Sequence, residues 1–82
     1  MKILSTPIEV LAHFENDGTP HPTRFKLSDK ELKIEQVVSV VEEKIAGNKM
    51  LCFRSQSEIG GGLRLFEIKS EVGTCKWFLW KM

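Results

Sequence analysis

Cysteine is scarce in this chain: Cys52 and Cys75 are its only two, far apart and in no C-x-x-C pair. A disulfide-built secreted scaffold of this size ordinarily carries about four or more, so a reducing compartment with two free thiols is expected. Net charge is also missing. Twelve Lys and Arg stand against eleven Asp and Glu, leaving +1, so no bulk field favours nucleic acid and only a local patch could. No apolar run approaches the ~18 residues that a membrane helix needs. The opening "MKILSTP" is too poor in apolar residues for a signal segment. Together these absences point to the cytoplasm and away from a membrane.

Catalytic signatures are absent as well. "GGG" at 60–62 leads into a strand-like run, with no lysine at phosphate-loop spacing. Glu42 and Glu43 are adjacent, so their carboxylates project apart and cannot share a substrate. Cys52 lies in an apolar run, which raises a thiol pKa and makes the group inert. His13, His21, Cys52 and Cys75 are metal-ligand types, but none lies within the two-to-five-residue spacing of a sequence-local zinc site, so only folding could gather them. The expectation is no enzyme, no metal and no cofactor.

What is present is a globular composition, 41% hydrophobic and 28% charged, fitting one domain over residues 1–82 with a thin core. Turn signals divide it: "ENDGTPHP" from Glu15, "AGN" from Ala46, "GGG" from Gly60 and, more weakly, "EVGT" from Glu71. Between them period two prevails. Ile8, Val10, Ala12 and Phe14 share one face against Glu9 and His13. Phe25 and Leu27 alternate with Arg24 and Lys26. "MLCFRSQS" and "LRLFEIK" flank the three glycines as a hairpin requires.

Residues 29–46 read two ways. Ser28 and Glu31 have capping-box spacing, Ile34, Val37, Val38, Val41 and Ile45 follow a helical stripe, and Gly47 sits where a helix would stop. The valines between 37 and 41 favour a strand instead, through their branched side chains. The fold expected is mainly β: a small antiparallel meander or barrel of five to six strands, with residues 29–46 open to helix or strand. Phe14, Phe25, Phe53, Phe66 and Trp77 suffice to fill its interior and leave no pocket.

The order "PIEVLAHF", then G-x-P-x-P-x-R-F from Gly18 to Phe25, a valine-rich strand and a terminal K-W-F-L resembles a bacterial domain family of unknown function associated with Y-family DNA polymerases. The likeness spans Ile8 to Trp80. Relatives tend to carry a tryptophan after the Arg-Phe, where this chain has Lys26-Leu27. The resemblance implies a β-rich fold and a link to DNA, and no catalytic residues.

The tail "TCKWFLWKM" supplies the candidate surface. Alternation puts Cys75, Trp77 and Leu79 inward and Lys76, Phe78 and Trp80 outward, with Lys81 beside them. Arg24, Lys26, Arg54 and Arg64 extend a candidate binding surface over the same face. Aromatics with cations suit single-stranded nucleic acid. A terminal strand lying at a sheet edge suits strand pairing with another chain. Packing of Trp80 under Ile3 and Leu4 is the structural alternative. The expected function is therefore a non-catalytic binding module, for a protein partner or a second copy, with nucleic acid as the alternative.

Overall fold

A computed structural model describes residues 3–82, all seven of its elements being strands. They are β1 (Ile3–Phe14), β2 (Pro20–Leu27), β3 (Lys30–Lys33), β4 (Gln36–Ile45), β5 (Asn48–Ile59), β6 (Gly62–Glu71) and β7 (Lys76–Lys81). One antiparallel sheet holds them in the order β3-β2-β1-β7-β6-β5-β4.

Since every neighbouring pair is antiparallel, the first and last strands of that order, β3 and β4, run in the same direction. They are also consecutive in the chain. The Ile34–Glu35 link therefore continues one strand while changing its partner. Ile34 N donates to Thr23 O on β2 (2.8 Å), and Glu35 N donates to Gln56 O on β5 (3.1 Å). The sheet curls into a half-barrel whose two edges meet at this link. Counted by continuity the meander has six runs; counted by pairing it has seven.

The helix alternative for residues 29–46 is thereby overturned. Ser28 is no cap: it occupies the β2–β3 turn at φ 55°. The valines lie in β4, where branched side chains suit the pleat. Gly47 ends β4 rather than a helix, forming a two-residue turn with Ala46 at φ 83° and 50°. Gly60 and Gly61, at φ 61° and 82°, close β5 onto β6 in the same manner. Positive φ at both central residues matches the right-handed twist of a hairpin, which is why glycine recurs there.

The inner face carries the core of Phe25, Phe66, Ile68 and Leu79, with Ile34 of the β3–β4 link packed into it. Phe25 and Phe66 are tilted across each other at 5.3 Å, and Phe53 stacks on Trp77 at 5.5 Å. Register explains the set: Val10 opposes Phe25, Phe53 opposes Ile68, and Ile68 opposes Leu79. Directly opposed residues share a face. Leu79, fully buried, contributes about 2 kcal/mol by area removed from water.

Three expectations about the core fail. Phe14 is 64% exposed, because it sits at the hairpin end of β1 where no strand covers it. Cys75 is exposed at φ 61°. It closes the β6–β7 turn, its N donating to Glu71 O, before the alternation of β7 begins. Nor is the interior full. A cleft of about 280 Å³ opens between the β1–β2 and β4–β5 hairpins, lined by Phe14, Leu51, Val72 and Trp77. The two edges are joined by the Ile34–Glu35 link, and the β1–β2 and β4–β5 hairpins leave this cleft between them.

Candidate functional site

β7 is the sixth run of the meander and, by position, an interior strand. It pairs with β1 on one side and β6 on the other. The sequence expectation of a terminal edge strand is thus corrected: both rows of its backbone groups are used. The edges are β3 and β4.

Its side chains do divide as alternation requires. Trp77 and Leu79 face the core, while Phe78 opposes Lys69 on the outer face and Trp80 follows two residues on. Phe78 and Trp80 are half-buried, not fully exposed. Ile3 and Leu4 stay exposed, which speaks against Trp80 serving as their cover.

The cover on Trp80 is Lys69, whose Nζ lies 4.2 Å from the ring centroid. Lys69 is a buried lysine on the outer face of β6. Its ammonium meets Glu43 Oε1 at 2.9 Å, an ion pair without hydrogen-bond alignment. Beside it, Cys52 Sγ donates to Glu67 Oε1 at 3.2 Å, and Arg54 Nε approaches Glu67 Oε2 at 3.9 Å. Burial, then the Glu67 carboxylate, pushes the Cys52 thiol up to about 11, so it is no nucleophile near neutrality.

Arg54, Trp80 and Lys81 come together around a depression of about 370 Å³ whose floor includes Cys52, Glu67 and Lys69. Lys76 and Phe78 lie farther along β7, beside Pro7 and Ile8 of β1. Arg24 and Lys26 are on β2 among Glu9 and Glu31, with Arg24 Nη1 paired to Glu31 at 3.2 Å. Arg64 does not join them. It opposes Ser57, whereas Arg54 opposes Glu67 three residues on from Arg64, so the two arginines face opposite sides of the sheet.

Sequence reasoning set Glu43 aside with its neighbour Glu42 and missed Glu67 and Lys69. Their signal was weak: each charge interrupts or flanks an apolar run, as surface residues do on any half-buried strand. Only the register shows that Lys69 lies between Cys52 and Phe78 in the middle of the sheet.

Of the four metal-ligand types, folding gathers two. His13 and His21 oppose each other across β1 and β2, whereas Cys52 bonds Glu67 and Cys75 sits in the β6–β7 turn. Among the described residues no group of three or more His, Cys, Asp or Glu is placed to hold an ion. Also among them, no helix is long and apolar enough to cross a membrane.

Comparison with protein-family models, with curated proteins and with solved structures returns no match.

Proposed function

We propose that the protein is a non-catalytic binding module of the cytoplasm, engaging a protein partner or a second copy of itself through the outer face of β7. The observation that supports this reading is the placing of Trp80 beside Arg54 and Lys81 around one depression. Tryptophan and arginine are the residue types that most often anchor protein contacts, and a half-buried ring needs little further ordering to bind. Two free thiols support the reducing compartment.

Nucleic acid is the second reading, favoured by Phe78 and Trp80 sharing a face with Lys76 and by the resemblance to the polymerase-associated family. Charge pairing weighs against it. Arg24, Arg54 and Lys69 each have a carboxylate within 4.0 Å, which leaves fewer cations free for phosphates.

Affinity purification with wild-type and Trp80→Ala baits, alongside sedimentation of the purified chain, tests the first reading. Partners or dimers that depend on Trp80 support it; identical capture and identical mass for both baits overturn it. Binding of a labelled single-stranded oligonucleotide that collapses as salt rises would select the second reading.

A further inference from the structure

His13 and His21 are direct cross-strand partners in the β1–β2 hairpin. Their ring centroids lie 5.1 Å apart at an interplanar angle of 41°. Alternation sets them on the outer face, because Phe14 and Pro20, the next opposed pair, line the cleft inside. Glu15 Oε1 lies 3.4 Å from His13 Nε2. The candidate surface on β7 uses none of these residues.

We propose that His13 and His21 together bind one divalent transition-metal ion of borderline softness, Zn²⁺, Cu²⁺ or Ni²⁺, with water completing its coordination. Opposed side chains of an antiparallel pair have Cβ atoms about 4.5–5.5 Å apart. Two imidazoles on such positions can converge on one ion, each at roughly 2.0–2.1 Å. Imidazole is the ligand these ions share, whereas Mg²⁺ and Ca²⁺ take oxygen. Glu15 supplies the outer support that metal-binding histidines use. A carboxylate at one ring nitrogen orients the ring, leaving the other nitrogen for the ion. Both histidines lie in paired strands, so little backbone has to be ordered when the ion arrives. The ion would clasp β1 to β2 beside the Glu15–Thr19 turn, at one lip of the inner cleft.

The exposed Cys75 thiol is the competing ligand, so the test carries its own control. Calorimetric titration of the chain with zinc chloride and with copper chloride, in a non-coordinating buffer, is run on wild type, Cys75→Ser, His13→Asn and His21→Asn. One ion per chain is expected, bound more tightly for copper than for zinc. Cys75→Ser should retain it. Each histidine variant should lose at least about 10-fold in affinity, since even an outer-shell partner is worth that much. Magnesium chloride should give no binding, and both imidazoles should shift together in NMR spectra on adding zinc. The histidines are exposed, so the variants should melt with the wild type in metal-free buffer. No binding by wild type overturns the proposal. So does binding that survives both histidine substitutions or disappears in Cys75→Ser.

Discussion

Lys69 holds its ammonium 4.2 Å above the ring of Trp80 and, from the same Nζ, 2.9 Å from Glu43. One buried cation on β6 thereby ties the β4 edge to β7 across the outer face. Burying an ammonium is unfavourable unless opposite charge and a π-face replace its water. Glu43 is partly exposed, so solvent screens the pair. Glu43→Gln should therefore destabilise by about 1–2 kcal/mol, below the ~3–5 kcal/mol of breaking a fully buried pair. Adding Lys69→Met should recover much of that loss. Urea unfolding of the single and double variants measures it, and an unchanged midpoint for Glu43→Gln would remove the role given to the pair.

The tail separates stability from binding. Leu79 is wholly buried and Trp77 half-buried. Leu79→Ala should cost about 2–5 kcal/mol; Trp77→Ala should fall at or below the lower end of the ~3–5 kcal/mol given by buried tryptophans. Trp80→Ala removes a cation–π contact worth about 1 kcal/mol and leaves the core intact. A ranking by denaturant midpoint with Trp80 as the most costly would reverse the faces of β7.

Much of the fold could be read locally, because period two and turn chemistry are local. Gly18, Gly47 and the Gly60-Gly61 pair mark their turns in sequence and take positive φ in the structure. What failed was set by pairing over distance. Nothing in "TCKWFLWKM" shows that its strand closes onto Ile3–Ile8, so an edge and an interior strand look alike there. Cys75 looked like part of the alternation because a turn residue at positive φ leaves no periodic trace. The rupture between β3 and β4 depends on Ile34 and Glu35 bonding to strands on opposite sides of a gap. The candidate site suffered in the same way. Its aromatics were legible, whereas Lys69 became visible only through its neighbours on β5 and β7.

Gly18 takes φ +89° in the Glu15–Thr19 turn, where its N donates to Glu15 O and Asp17 Oδ1 accepts from Thr19 N. The bond from the Thr19 backbone holds the Asp17 carboxyl below its ordinary range. A Cβ on Gly18 would meet no atom within 4 Å, so only the backbone resists substitution. Gly18→Ala should cost about 1 kcal/mol, lowering the melting temperature by roughly 4–8 °C in a domain of this size. An unchanged melting temperature would show that the turn relaxes freely.

The two thiols should behave as opposites. Cys75 is exposed and should react at once with a thiol reagent, a fast phase that Cys75→Ser abolishes. Cys52 is buried, and desolvation together with its bond to Glu67 raises it from 9.0 to about 11. Between those values the unfolded chain has released the Cys52 proton while the native chain keeps it. The native state then binds more protons, so this group's contribution to stability falls as pH rises from about 9 to 11. The slope is at most about 1.4 kcal/mol per pH unit. Below pH 9 both states hold the proton and the contribution is constant. Urea midpoints taken across that window should decline more steeply for wild type than for Cys52→Ala, in which the titration is gone. Every other group is common to the two proteins, so the difference between the slopes isolates the thiol. Parallel slopes would mean that Cys52 ionises in the folded protein as readily as in the unfolded chain.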